Sequence, residues 1–299
     1  NFPLDISESN SDLLFVFGTS ECGTRKNFFV GSSLEEACSR DSLKIITPSN
    51  WSKIGFLKAG FKEKNIKVIP HGIEPTAFYK SDHINRTITR KMLNIKPDEF
   101  LLTNIGALTR NKGIDLLLAA YILLKPKYIN LRLLIKDSSN LYGIKLKNIV
   151  YGMTQDKRFK NLDFSKLNDV ITISKNLDIE KMNRIYNASD AYISPYRGEG
   201  FNLPPLEAAA CGVPIVVSLG GSTDDYFSEK LGLQIKSKKV LEKDDGTMEI
   251  IPEFESLIFC IETLINSTKF GGKVGSRYVH KLFNWQKITD LLIENLSSS

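Results

Sequence analysis

No stretch of this 299-residue chain approaches the roughly 20 consecutive apolar residues that a membrane-spanning helix needs. Cysteine is scarce. Cys22, Cys38, Cys211 and Cys260 are scattered without metal-ligand or redox spacing, which reads as free thiols of a reducing compartment. No G-x-G-x-x-G follows an early strand, so the fingerprint of a dinucleotide oxidoreductase is missing. No basic run interleaved with aromatics occurs, which argues against nucleic acid as a partner. No secretory signal opens the sequence at Asn1. The expectation is a cytoplasmic protein, with peripheral contact at a membrane left open. Internal repeats and low-complexity tracts are absent as well. The net charge of +6 suits a diphosphate ligand or an anionic membrane surface, and suits an ordinary soluble surface equally.

What is present is ordinary globular composition, 42% hydrophobic and 25% charged, at a length that fits two domains. The most informative stretch is Ser194 to Val217. An apolar strand, Ala191 to Ile193, leads into a loop broken at Gly198 and Gly200, which leave room for a ligand against the main chain. A helix follows, with Pro204 and Pro205 in its first turn, Leu206 to Ala210 as strong helix composition, and Gly212 as its stop. Val213 to Val217 reads as the next buried strand. The main-chain amides around Gly200, Phe201, Asn202 and Leu203 favour an anion. Glu199 and Glu207 lie eight positions apart, and a carboxylate of this kind accepts hydrogen bonds from the vicinal hydroxyls of a ribose.

The same pattern of strand, loop and helix recurs upstream. Phe100 to Ile105 is a strand, Gly106 to Gly113 a loop carrying Arg110 and Lys112, and Ile114 to Leu124 a helix. Both cations suit phosphate oxygens. Leu131 to Ile135 and Val170 to Ile173 are further strands, with Ser174 at the end of the latter. Ile179, Met182, Ile185 and Tyr186 share one helical face and read as core. Leu13 to Phe17, Leu43 to Thr47 and Val68–Ile69 are strands of an earlier unit. Thr19, Ser20 and Glu21 follow the first of these, where open α/β sheets bind ligands. His71 reads as structural. A helix is expected near Thr89 to Leu93, and others over Phe254 to Ile265 and roughly Val274 to Leu296. Repeated strand-to-helix units argue for a doubly wound parallel sheet preceded by a smaller or incomplete one.

The segment E-G-F-N-L-P-P-L-E, flanked by S-D-A-Y-I-S-P-Y and A-A-A-C-G-V-P-I-V-V-S-L-G-G-S, resembles the E-x7-E signature of retaining glycosyltransferases of family 4. The loop Gly106 to Gly113 resembles that family's G-R-x-x-x-x-K-G diphosphate loop. Lys112-Gly113 matches, while Ala107 stands where the family has its arginine, with Arg110 as a substitute candidate. The resemblance implies the α/β GT-B fold of two Rossmann-like domains. Residues 1–97 would form the acceptor-side domain, shorter than the family's, either trimmed or naturally reduced. Residues 98–270 would bind the nucleotide sugar, and 271–299 would be a closing helix that packs back on the first domain, with Trp285 between domains.

The implied activity is a hexosyltransferase-type glycosyltransferase. It would move a sugar from a nucleotide-diphosphate donor to a glycan, glycolipid or polysaccharide hydroxyl, with retention. Glu199 and Lys112 would be catalytic. Glu207, Arg110, Gly106, Gly200, Phe201, Asn202, Leu203 and Ser174 would hold the donor, and Thr19, Ser20 and Glu21 would face the acceptor. No metal and no cofactor is expected, since cations and a helix start can take the metal's place. The alternative is a nucleotide-sugar-binding subunit of low activity that needs a partner domain. An epimerase or phosphorylase on the same scaffold is a further rival, the latter lacking any visible pyridoxal-phosphate lysine signature.

Overall fold

The computed structural model describes residues 4–5, 12–24, 29–242, 247–267 and 269–297. Two parallel sheets stand in series. The first holds Leu14–Phe17, Leu43–Thr47 and Ile66–Val68 side by side in chain order. A separate short parallel pair, Leu4–Asp5 with Phe29–Val30, accompanies it. The first sheet is therefore small, as the sequence implies. Its helix Asn50–Lys58 starts at Ser49, whose hydroxyl accepts the Ser52 amide.

The second sheet has six strands, all parallel. In chain order they are Phe100–Ile105, Leu131–Lys136, Ile171–Ile173, Ala191–Ser194, Ile215–Ser218 and Gly232–Ile235. Their spatial order is third, second, first, fourth, fifth, sixth. This is the doubly wound order, whose direction reverses between the first and fourth strands. There the ladder runs only from Leu102 opposite Ala191 to Thr103 opposite Tyr192. Beyond that point the strands part, and side chains replace the ladder. Asn104 Nδ2 donates to the Ile193 carbonyl at 2.7 Å, and the Tyr192 hydroxyl both donates to the Ile105 carbonyl at 3.0 Å and accepts the Ile105 amide at 3.2 Å. In doubly wound sheets this reversal, at the carboxyl ends of these two strands, is where the ligand crevice lies.

Strand centres match the sequence expectations, with ends moved by a residue or two. The helix expected near Thr89 to Leu93 is longer, His83–Met92, because Asp82 caps it by accepting the Asn85 amide at 2.8 Å. The closing segment is two helices, Gly272–Leu282 and Trp285–Ser297. The break occurs where the Phe283 carbonyl accepts the Ile73 amide and the Trp285 amide donates to the Ile73 carbonyl. Ile288 of the last helix packs with Ile46 and Ile69, and so covers the first sheet. An antiparallel hairpin, Ser237–Glu242 with Met248–Pro252, follows the sixth strand and has no counterpart in the sequence expectations.

Candidate active site

Two loops meet at the crevice. In the first, Gly106 has φ +154°, and a Cβ there would sit 3.4 Å from Lys112 Cε, so the lysine stem crosses over this glycine. Arg110–Lys112 forms a 3-10 turn closed by Gly113 at φ +68°, where a Cβ would lie 1.9 Å from the Pro195 carbonyl oxygen. Only glycine allows this approach. The second loop is fastened to the first at several points. Buried Arg197 pairs with both oxygens of Asp115 at 2.8 Å and donates to the Arg110 carbonyl at 2.8 Å. Asn111 Nδ2 donates to the Gly198 carbonyl at 3.0 Å.

This fastening brings Lys112 Nζ within 2.6 Å of Glu199 Oε1. The Glu199 side chain is 5% exposed and that of Lys112 20%. Burial pushes the Glu199 carboxyl above its ordinary range, Lys112 pulls it back, and Glu21 pushes it up again. An anion entering the crevice would therefore meet a lysine already poised and a carboxylate whose charge depends on it.

Beside this pair the helix Leu203–Ala210 begins. Asn202 precedes it at φ +63°, held by Nδ2 on Ser194 Oγ at 3.0 Å and by the Tyr226 hydroxyl on its carbonyl at 2.8 Å. Pro204 and Pro205 carry no N–H, so the donors at this helix start are the main chain of Gly200 to Leu203. Among the described residues these amides make no hydrogen bond, and they remain open to an anion. Glu207 lies in the same helix. Its Oε2 accepts from the Tyr186 hydroxyl at 2.5 Å, and burial raises its carboxyl. Burial pushes up the Tyr192 and Tyr226 phenols, and both carboxylates add to the rise, so all four groups share one neighbourhood.

The amino-terminal sheet closes the crevice from the other side. A Cβ on Gly200 would strike Thr19 Cγ2 at 1.9 Å, and one on Gly198 would strike Cys22 Sγ at 2.4 Å. Ser49 Oγ donates to the Gly200 carbonyl, and the Cys22 carbonyl accepts the Met248 amide at 2.8 Å. Thr19 and Glu21 therefore stand at the site. Ser20 does not: it is buried, its amide on Ser52 Oγ, with its hydroxyl over Gly55 of the neighbouring helix.

Several side chains around the crevice are committed to protein partners. The Arg110 guanidinium turns to Glu249 of the hairpin, on a cavity of about 460 Å³ lined also by Arg158 and Phe159. The reason is local: the turn that points Lys112 over Gly106 sends Arg110 outward. The Phe201 ring is buried against His71 and Tyr226, which leaves only its amide at the crevice. Ser174 Oγ donates to buried Asp137 at 2.9 Å, at the end of the neighbouring strand. His71 packs between Phe201 and Trp285, and burial lowers its pKa. The acidic pair after Gly221 is committed to protein partners. Asp225 accepts from the Asn50 amide at 2.7 Å, and Asp224 from the Gly220 amide and Gln234.

Sequence reasoning missed the Tyr186 hydroxyl and the Arg197–Asp115 lock. Tyr186 carried only the signal of a core stripe, and nothing in the spacing of 115 and 197 pairs them. Residues 85–246, more than half of the chain, match the family described as glycosyl transferases group 1. The chain belongs to that family. An uncharacterised glycosyltransferase of Methanocaldococcus jannaschii is 26% identical, over 91% of this chain and 63% of its own length. The mannosylfructose-phosphate synthase of Agrobacterium fabrum is 24% identical, over 78% of this chain and 48% of its own. The chain thus spans about half to under two thirds of these group 1 relatives. Among solved structures, HepE of Anabaena with UDP-glucose has a TM-score of 0.70 at 20% identity, covering 89% of this chain and 66% of that one. The sucrose-phosphate synthase of Thermosynechococcus elongatus has a TM-score of 0.67 at 22% identity, covering 89% of this chain and 61% of that one. These neighbours establish the GT-B fold, with the amino-terminal sheet as its short member.

Proposed function

We propose that this group 1 chain binds a nucleoside-diphosphate sugar in the crevice and transfers the sugar to an acceptor hydroxyl with retention at the anomeric carbon. The observation that carries this is the Lys112–Glu199 contact of 2.6 Å, at the point where the strand order of the second sheet reverses. As the bond from sugar to diphosphate breaks, negative charge grows on the leaving phosphates. Lys112 and the open amides of Gly200 to Leu203 are preorganised for that charge. Glu199, released from Lys112 by the arriving anion, is left beside the sugar, where it positions the ring or stabilises positive character on it. Glu207, oriented by the Tyr186 hydroxyl, accepts the ribose hydroxyls. Thr19 and Glu21 close the acceptor side. The HepE structure contains UDP-glucose on the same fold, which supports a nucleotide sugar as donor. Neither a metal nor a cofactor enters this scheme.

The test is calorimetry against a panel of nucleoside diphosphates and their sugars, followed by NMR of the anomeric proton in any product. Binding of one diphosphate at micromolar strength and a product of unchanged anomeric configuration are expected. A chain that binds none of them loses the assignment. A second reading has support in the first sheet of three strands and in the partial span of the relatives. The chain would then hold the donor and need a further domain or partner to present the acceptor. Tight donor binding without transfer or donor hydrolysis would select that reading.

A further inference from the structure

The helix His83–Met92 is amphipathic with its faces reversed. Its inward side carries arginines. Arg90 is 6% exposed and donates to Asp190 Oδ2 at 2.9 Å, to the Ala188 carbonyl at 3.0 Å and to the Lys96 carbonyl at 2.8 Å. Arg86 lies one turn earlier and pairs with Asp190 Oδ1 at 2.6 Å. Opposite them, Ile84, Ile88 and Met92 recur at every fourth position and face outward, 68%, 48% and 72% exposed. Spaced by 3.6 residues per turn, these three share one stripe. A surface helix ordinarily turns such a stripe to the core, and isolated exposed apolar residues need no explanation, whereas an ordered row does.

The start of this helix opens onto a cavity of about 470 Å³ lined by Tyr79, Lys80, Ser81 and Asp82, and by Lys273, Ser276, Arg277 and His280 of the helix Gly272–Leu282. Lys80, Lys273 and Arg277 are exposed, and among the described residues none of the three has an ion-pair partner. The acid in the lining, Asp82, is occupied with the Asn85 amide. Tyr79 and Val274, 47% and 58% exposed, flank the cavity. A cationic hollow bordered by outward apolar side chains is complementary to a surface that presents phosphates above hydrocarbon.

We propose that this face docks on an anionic lipid bilayer, with a phospholipid phosphate in the Lys80–Lys273–Arg277 hollow and the Ile84–Ile88–Met92 stripe seated at the interface. The proposal stands apart from the transfer reaction, because neither the hollow nor the stripe contains a residue of the crevice. Lys80 lies beside Gly212, just past the end of the helix Leu203–Ala210 whose start lines the crevice. One helix of eight residues, about 12 Å, therefore separates the two. A docked chain would hold its crevice close to lipid-borne acceptors.

Co-sedimentation tests it, with vesicles of phosphatidylcholine alone and of phosphatidylcholine mixed with phosphatidylglycerol. The full chain is expected to pellet with the mixed vesicles and to be released by salt. Neutralising the hollow in Lys80→Ala, Lys273→Ala and Arg277→Ala together should weaken partition tenfold to on the order of a hundredfold. Replacing the stripe in Ile84→Ser, Ile88→Ser and Met92→Ser should also cut partition, while thermal melts confirm that both variants fold. Failure of the parent to bind mixed vesicles overturns the proposal, as does equal binding by both variants. Light scattering provides the remaining arm. A dimer that the stripe variant dissolves, in a chain indifferent to vesicles, would assign the stripe to a second copy and overturn the lipid reading.

Discussion

At the residue scale the crevice makes separate demands on Lys112, Glu199 and Glu207. In the proposed reaction, Lys112→Ala removes the cation set against the growing phosphate charge. The expected outcome is a fall in kcat of about 100- to 1000-fold, the range for a lost preorganised donor, with KM for the donor changed less. Glu207→Ala should instead raise KM, and Tyr186→Phe should do so more mildly, since it removes about 1 kcal/mol of orientation from the same carboxylate. Steady-state kinetics with the donor found by calorimetry separates these cases. Lys112 was legible in the sequence because lysine followed by glycine at a strand end is chemistry written locally. Tyr186 was not, because its hydroxyl reaches Glu207 across 21 positions of sequence.

Glu199 also writes a signature on stability. Burial raises its folded carboxyl above the ordinary 4.5. In that window the folded state binds a proton that the unfolded state releases, so stability falls as pH rises from about 4.5 through the raised value. Glu207 acts in the same sense. Glu199→Gln should therefore flatten the rise in Tm seen on acidifying from neutrality toward pH 4.5. An unchanged slope in thermal melts would mean that the Glu199 carboxyl is not raised in the folded chain.

At the scale of elements, position along the sheet was legible and its polar fastenings were not. Apolar runs located the strands near Phe100 to Ile105, Leu131 to Ile135, Val170 to Ile173, Ala191 to Ile193 and Val213 to Val217, since buried parallel strands are continuous hydrophobic segments. The hairpin after the sixth strand was missed although Asp245-Gly246 between V-L-E and M-E-I-I is a hairpin signal. The helix His83–Met92 was placed only in its last turn, because its outward isoleucines mimic a buried face and its true anchors are arginines. That inversion makes a prediction. Asp190→Ala leaves Arg90 buried without its counter-charge and removes the acceptor of the Leu101 amide. A loss of about 3 kcal/mol is expected, read from urea unfolding. The stripe variant of the same helix should cost little, since its side chains face outward.

At the scale of the whole molecule, the two sheets meet through contacts so close that glycine is required. Gly200 lies against Thr19, and the Asn50 amide reaches Asp225 across the same seam. Neither residue of the first pair announces the other in sequence, because they lie in loops that follow strands of different sheets, 181 positions apart. Gly200→Ala sets a Cβ at 1.9 Å from Thr19 Cγ2, so the halves must part or the donor loop must shift. Gly200 does not adopt a left-handed backbone, so alanine meets no local strain there and the clash is the whole effect. Transfer should drop by at least tenfold, the scale of a misplacement of about 1 Å at a reacting centre. Diphosphate binding, which rests on the second sheet, should persist. Thr19→Ser deletes the offending methyl and keeps the hydroxyl, so in the double variant Gly200→Ala with Thr19→Ser transfer should return toward that of Thr19→Ser alone. A double-mutant cycle on kcat/KM measures this coupling. Simple additivity of the two losses would show that the amino-terminal loop does not touch the donor loop during the reaction.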